Sequence, residues 1–304
     1  MPVPTQSLTR YLDPEILRSI ESIELAARVL VEGLYASRHL CPFYGFTVEF
    51  KDYREYAPGD PPRLIDWKLL ARTERYFVRR YEMESNMDVV TLLDVSGSMG
   101  YTPTDTKRFS KIEYASYLAA SLSYLVRKQQ DSAGLITFGD DLIEFVPPRQ
   151  GQRHMLGLLA RLEEIKPEGP TNLEHVMKRL VLRLKRRSII ALISDCHGDP
   201  APVVDGIRHL AARGHDIIVF HLLDSDEVEF PFTSLTSFRD VESGTQLMCD
   251  PLRQKRRYLA RLDAFRSAIR DGTVGCGADY RFIDTSQPLE TVLRDYLMYR
   301  RQRG

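Results

Sequence analysis

The sequence predicts an α/β fold of three layers, in which helices cover both faces of a mostly parallel sheet with one antiparallel edge strand. Three observations predict it. Short apolar runs typical of buried strands alternate with helical patterns along residues 86–304. Two of these runs, at 89–94 and 188–195, end on an aspartate. The segment 133–145 has the pattern of two strands around a tight turn, which predicts an antiparallel hairpin.

Each predicted element follows from a local pattern. Apolar residues at helical spacing predict a helix from Asp13-Pro14 to about residue 34. Aromatic, charged and proline residues over 41–86, with strand-like alternation at 76–82, predict a small subdomain that joins the sheet without a linker. The later predicted elements are helices at 108–127, 155–162, 173–184 and 203–213, strands near 189 and at 216–223, a hairpin at 234–248, a long helix to about 270, a strand at 279–283 and a helix after Pro288. We therefore expect a helix and subdomain over 1–85 and an α/β domain over 86–304.

The densest chemical pattern is Asp94-Val95-Ser96-Gly97-Ser98, directly after the first buried strand. A carboxylate and two hydroxyls at this spacing can converge as oxygen ligands on one divalent cation, although Ser-rich turns also bond only their own backbone. Thr171 lies in a loop before a predicted helix, and Asp195 ends a later strand. Because the carboxyl ends of parallel strands meet at one edge of a sheet, we expect these side chains to converge.

This arrangement resembles the metal-ion-dependent adhesion site of von Willebrand factor A-type domains, which have a Rossmann-like fold. The matched positions are Asp94, Ser96, Ser98, Thr171 and Asp195. The resemblance implies that the hydroxyls coordinate the metal directly or through water, that the aspartates contact the metal or its waters, and that a sixth position is left for a partner's carboxylate. The expected cofactor is Mg²⁺, with Mn²⁺ or Ca²⁺ as alternatives. A vestigial, metal-free sheet edge is the other interpretation.

A second pattern, over 49–60 and 63–72, resembles the signature of the bacterial domain of unknown function 58 family, which pairs it with an A-type domain. Its positions here are Arg54, Tyr56, Pro58, Gly59, Asp60, Arg63, Asp66, Trp67 and Arg72. The spacing of Arg63, Asp66 and Trp67 predicts one shared helical face. We expect ion pairs and the indole to hold the subdomain on the sheet, and a recognition surface for a partner is the alternative. Members of the family are often linked with MoxR-type AAA+ ATPases, which implies an adaptor role in chaperone-like assembly or metal insertion.

Composition narrows the possible functions. The 42 basic and 42 acidic residues balance, which gives no indication of nucleic-acid binding. The sequence has no run of eighteen apolar residues, so no membrane span is expected, and its N-terminus has no signal-peptide pattern. The four cysteines are widely spaced, which argues against a zinc site or a disulfide framework. We expect a cytoplasmic protein.

Catalysis has weaker support in the sequence. Asp94 stands where phosphoaspartate hydrolases place their nucleophile, so a Mg²⁺-dependent phosphohydrolase is one alternative. Ser96, however, occupies the position where such enzymes need a second carboxylate. Adjacent residues such as Cys196 and His197 seldom form a catalytic pair. The sequence therefore predicts a non-enzymatic module that binds an acidic side chain of a partner protein through a metal, with a metal-free structural scaffold as a further alternative.

Overall fold

A computed structural model describes residues 22–36, 49–57, 65–73, 75–82, 87–105, 107–241 and 244–303. The helices, in chain order, are α1 (Ile23–Ala36), α2 (Trp67–Thr73), α3 (Lys111–Lys128), α4 (Gln152–Glu164), α5 (Leu173–Arg183), α6 (Pro200–Ala212), α7 (Ser225–Glu229), α8 (Pro251–Gly275) and α9 (Leu289–Arg303), with a 3₁₀ helix at Gly97–Gly100. The strands are β1 (Glu49–Glu55), β2 (Phe77–Glu82), β3 (Asp88–Asp94), β4 (Ser132–Phe138), β5 (Leu142–Arg149), β6 (Ser188–Ser194), β7 (Asp216–Leu223), β8 (Thr236–Arg239), β9 (Gln246–Cys249) and β10 (Asp279–Asp284). Residues 13–21 of the predicted first helix lie outside the described residues.

The central sheet has six strands in the order β10-β7-β6-β3-β4-β5. Its neighbouring strands are parallel except for β5, which runs antiparallel to β4 at one edge. The predicted fold class is therefore confirmed. The predicted division near residue 85 stays a prediction.

Hydrophobic cores form on both faces of the sheet. One core packs α1, α3, α4 and α9 against it, and the other packs α5, α6 and α8. Strand β6 is buried at every position, as expected for a parallel strand covered on both faces. This burial explains why its sequence is a continuous apolar run rather than an alternating one.

The topology places two carboxylates side by side. From β3 the chain continues into β4 on one side, whereas β6 pairs with the other side of β3 and leads on to β7. Strand order thus reverses between β3 and β6, which is the position where open α/β sheets have their binding crevice. Asp94 ends β3, and Asp195 directly follows β6.

The subdomain before the sheet differs from one prediction. Strands β1 and β2 form a separate antiparallel pair. Helix α2 begins at Trp67, and the Asp66 carboxylate accepts a hydrogen bond of 3.1 Å from the Leu69 backbone N–H. The prediction of one helical face shared by Arg63, Asp66 and Trp67 is wrong for Asp66 and Trp67, because Asp66 caps the helix instead of lying within it. Arg63 lies outside the described residues.

Close packing between α5 and α6 gives a testable prediction. A Cβ at Gly206 would lie 2.4 Å from the Cβ of Met177, which is too close for any rotamer change to relieve. Gly206→Ala is therefore expected to lower the free energy of unfolding by about 1–3 kcal/mol in urea denaturation, despite alanine's higher helix propensity. The matched control is Gly157→Ala in α4, where a Cβ would meet only the flexible end of Arg161 at 3.6 Å. Equal effects at the two positions would contradict the close packing.

Candidate metal centre

Asp94 lies at the centre of the site and is fully buried. The Ser194 hydroxyl donates to Asp94 Oδ2 at 2.6 Å, and the Ser96 backbone N–H donates to Oδ1 at 3.0 Å. The Ser96 and Ser98 hydroxyl oxygens lie 3.1 Å apart. One carboxylate and two hydroxyls are therefore gathered at the end of β3.

Asp195 lies beside them and is 3% exposed. Its Oδ2 accepts a hydrogen bond of 2.9 Å from Lys111 Nζ, and its Oδ1 accepts one of 3.1 Å from the His197 backbone N–H. Through Lys111, the carboxylate that follows β6 is bonded to the first turn of α3.

Backbone hydrogen bonds attach the Thr171 loop to the Asp94 loop. The Gly97 N–H donates to the Gly169 carbonyl at 2.7 Å, and the Glu168 N–H donates to the Val95 carbonyl at 2.9 Å. A side chain at Gly97 would lie 3.1 Å from that Gly169 carbonyl oxygen, which explains the glycine between the two serines. The Thr171 hydroxyl oxygen is shielded from solvent. All five predicted ligands therefore belong to loops that meet at one end of the sheet.

The charges in this cluster do not balance. Burial, together with the charge of Asp195, raises the pKa of Asp94 despite its hydrogen bonds from Ser194 and Ser96. Burial alone would raise the pKa of Asp195 as well, but the Lys111 ammonium holds it below its usual range. The Lys111 ammonium also lies 3.0 Å from Glu227 Oε1. Burial raises the pKa of Glu227 despite that contact. When all three are ionised, the carboxylates of Asp94, Asp195 and Glu227 carry three negative charges against the one positive charge of Lys111.

This donor set fits a hard divalent cation. Carboxylate and hydroxyl oxygens are ligands that Mg²⁺ and Ca²⁺ accept, and the excess negative charge favours a cation. In the part of the chain that the structure describes, no group of three or more histidine, cysteine, aspartate or glutamate side chains is placed to hold a metal. A cation here would therefore depend on the hydroxyls of Ser96, Ser98 and Thr171 in addition to the aspartates.

The sequence patterns did not identify Lys111 and Glu227. Lys111 opens α3 directly after its N-cap Ser110, which forms a capping box with Glu113. Glu227 belongs to the short α7, where it forms a second capping box with Asp224. The [S/T/D]-x-x-E spacing of both boxes was a usable signal for two helix N-termini, but it does not show that those termini meet.

A second polar cluster fixes the loop between the 3₁₀ helix and α3. The Asp226 carboxylate accepts hydrogen bonds from Arg108 at 2.9 Å, from the Thr104 hydroxyl at 2.8 Å and from the Tyr101 hydroxyl at 3.1 Å. Asp226 is buried, and these partners help to hold its pKa below its usual range although burial opposes this. The loop that leads into α3 is thereby anchored to α7.

His221 on β7 gives a prediction for the pH dependence of stability. The side chain is fully buried, lies near Phe265, Tyr280 and Phe282, and burial lowers its pKa to about 4. Because the folded pKa lies below the unfolded value, His221 costs no stability near neutral pH, and protonation favours unfolding as the pH falls. Between about pH 7 and about pH 4 we expect this residue to remove about 3 kcal/mol from the free energy of unfolding.

Chemical denaturation of the wild type and His221→Phe across this pH range measures the effect. The acidic groups titrate in both proteins, so the difference between their pH profiles isolates the histidine. The variant loses the 2.8 Å contact between His221 Nδ1 and the Tyr280 hydroxyl, which lowers its stability at every pH. Parallel profiles would contradict the prediction.

The geometry gives no support to catalysis by Cys196 or Asp94. Cys196 is fully buried with a positive φ of 53°, and burial raises the pKa of its thiol, whereas His197 is exposed. The two side chains do not form a catalytic pair. Asp94 is fully buried, and Ser96 stands two residues on where a phosphohydrolase would need a second carboxylate.

The signature residues before the sheet fall into three groups. Pro58, Gly59, Asp60 and Arg63 lie outside the described residues. Asp66 is buried as a helix cap, and Arg54 and Arg72 are exposed, with Tyr56 partly exposed. Trp67 is 60% exposed, so the prediction that its indole holds the subdomain on the sheet is wrong.

Solved structures of low sequence identity resemble this fold. BatB from Bacteroides thetaiotaomicron is 17% identical, covers 71% of this chain and 99% of its own, and has a TM-score of 0.47. The VWA domain of SpRpn10 is 12% identical. The match covers 68% of this chain and 93% of that domain, with a TM-score of 0.40. An uncharacterized protein of Mycobacterium tuberculosis is 27% identical over 273 residues, which are 88% of this chain and 84% of that relative. A relative in Mycobacterium bovis has the same identity and coverage.

The reversal of strand order between β3 and β6 defines a doubly wound, three-layer α/β domain with carboxylates at its switch point. The chain belongs to the family described as "Protein of unknown function DUF58", whose model matches residues 52–268. Of the helices that the structure describes, none has both the length and the apolar character needed to cross a membrane.

Proposed function

We propose that this protein is a non-enzymatic interaction module that binds a divalent metal, preferentially Mg²⁺, through Asp94, Ser96, Ser98, Thr171 and Asp195. The observation that carries the proposal is the meeting of two buried carboxylates and the serine hydroxyls at the switch point of the sheet, with negative charge in excess. Mn²⁺ or Ca²⁺ could take the same oxygen ligands. Backbone N–H groups hydrogen-bond the Asp94 and Asp195 carboxylates, and a backbone hydrogen bond joins Gly97 to Gly169 in the Thr171 loop, which supports a site that is organised before a cation enters.

When bound, the metal supplies a positive charge that attracts a carboxylate. The chain's own residues set how much of that charge remains. Ser96, Ser98 and Thr171 are neutral ligands, and the charge of Asp195 is offset by Lys111. We propose that the partner presents an aspartate or glutamate at this edge of the sheet.

Family membership supports a more specific partner. We propose that this protein is an adaptor for a MoxR-type AAA+ ATPase in chaperone-like assembly, because the sequence resembles a family often linked with such ATPases. The described cysteines Cys196, Cys249 and Cys276 are free thiols, which is typical of a reducing compartment, and we propose a cytoplasmic location.

Binding of a purified MoxR-type ATPase from the same organism to the immobilised protein tests this function. We expect capture by the wild type in Mg²⁺, and loss of capture in EDTA or with Asp94→Ala. The matched control is Asp140→Ala, because Asp140 is an exposed acid on the loop after β4, at the same end of the sheet. Equal capture in all conditions would show that the metal is not the contact. Absence of capture by any variant would contradict the ATPase partnership.

A further inference from the structure

Lys111 is a buried cation inside a site suited to a second cation. Its side chain is the first of α3 and is 1% exposed. The ammonium lies 2.9 Å from Asp195 Oδ2 and 3.0 Å from Glu227 Oε1. Lysine is almost never buried to this degree unless it is paired, and here both partners are carboxylates.

The pairing restricts what Asp195 can do. Lys111 occupies Oδ2, and the His197 backbone N–H occupies Oδ1, so both carboxylate oxygens are already engaged. Bidentate binding of a metal by Asp195 would compete with Lys111 for Oδ2. Its negative charge is also partly neutralised, which weakens its attraction for any cation.

These restrictions act differently on different metals. Ca²⁺ takes six to eight oxygen ligands and often gains a bidentate carboxylate, whereas Mg²⁺ keeps six ligands, several of them waters. A site whose second carboxylate is held by an ammonium favours the ion that needs fewer protein oxygens.

We propose that Lys111 determines the metal selectivity of the site, because it holds Asp195 in an ion pair and thereby favours Mg²⁺ over Ca²⁺. This inference rests on the proposed metal-binding function. Lys111 acts through Asp195 and is a positioning residue. Its removal is expected to strengthen binding of both ions, and to strengthen Ca²⁺ binding more.

Titration calorimetry with MgCl₂ and with CaCl₂ tests the inference on the full chain. For Lys111→Met we expect Mg²⁺ affinity to rise about tenfold, since one nearby positive charge is lost, and the ratio of Mg²⁺ to Ca²⁺ affinity to fall. The matched control is Arg108→Met, which removes a cation bonded to Asp226 instead of Asp195. Arg108→Met is expected to keep the wild-type ratio.

The possible outcomes distinguish failure of this inference from failure of the proposed metal-binding function. If wild type binds Mg²⁺ and Lys111→Met shows the same two affinities, the inference is overturned while the metal site stands. If neither protein binds either ion, the metal site itself fails. Should Lys111→Met not fold, Glu227→Gln keeps Lys111 but removes one of its partners. That variant leaves Lys111 paired with Asp195 alone, so the ratio of Mg²⁺ to Ca²⁺ affinity is expected to stay at or above the wild-type value, and a fall in that ratio would overturn the inference.

Discussion

Replacement of Lys111 by methionine is expected to lower the free energy of unfolding of the metal-free protein by about 3–5 kcal/mol. Methionine has a similar length and shape, so the loss comes from charge. Asp195 is left 3% exposed without its ammonium partner, and Glu227 loses the same contact. Urea denaturation in EDTA at neutral pH measures the change.

Lys178→Met is the matched control for this stability change. Lys178 pairs with Glu174 one turn away on α5, and both side chains are more than half exposed. Its removal is expected to cost about 0.5 kcal/mol or less. A similarly small loss for Lys111→Met would contradict the view that the ammonium neutralises the site.

The substitution Asp94→Asn is expected to reverse the order of stability between variant and wild type when Mg²⁺ is added. Burial and the charge of Asp195 raise the pKa of Asp94, so this residue costs stability progressively as the pH rises from its unfolded-state pKa to the raised value, and the full cost applies above that value. In EDTA at about pH 8 the neutral amide is expected to stabilise the protein by about 1–2 kcal/mol. Mg²⁺ at about one hundred times its Kd adds about 2.7 kcal/mol to the wild type and nothing to the variant.

Denaturation of both proteins with and without Mg²⁺ measures this reversal. Asp140→Asn is the control, because Asp140 is exposed and lies on the neighbouring loop after β4. This control is expected to follow the wild type in both conditions. A variant that gained the same stability from Mg²⁺ as the wild type would show that Asp94 is not a ligand.

The sheet and the loops of the site could be predicted from local patterns. The apolar runs that became β3 and β6 are buried on both faces, and each is followed by polar residues at its carboxyl end. Parallel pairing then brings Asp94 and Asp195 to the same edge. The antiparallel edge strand β5 followed from a tight turn, which is also a local signal.

The remaining features depend on contacts between distant parts of the chain. The 3₁₀ helix and α7 are too short to leave a helical period in the sequence. Lys111 and Glu227 are 116 residues apart, so their contact has no local signature. The 60% exposure of Trp67 was not predicted, because the shared face expected from the spacing requires a helix that already includes Asp66, whereas the helix begins at Trp67.

The most direct test of the metal site is a count of bound Mn²⁺ by electron paramagnetic resonance in the wild type and in Asp94→Asn. Mn²⁺ accepts the same oxygen ligands as Mg²⁺ and gives a signal that distinguishes free from bound ion. A metal site that includes Asp94 predicts one Mn²⁺ per wild-type chain, displaced by excess Mg²⁺, and loss of that ion in Asp94→Asn. Failure of the wild type to bind Mn²⁺, or undiminished binding by the variant, would contradict it.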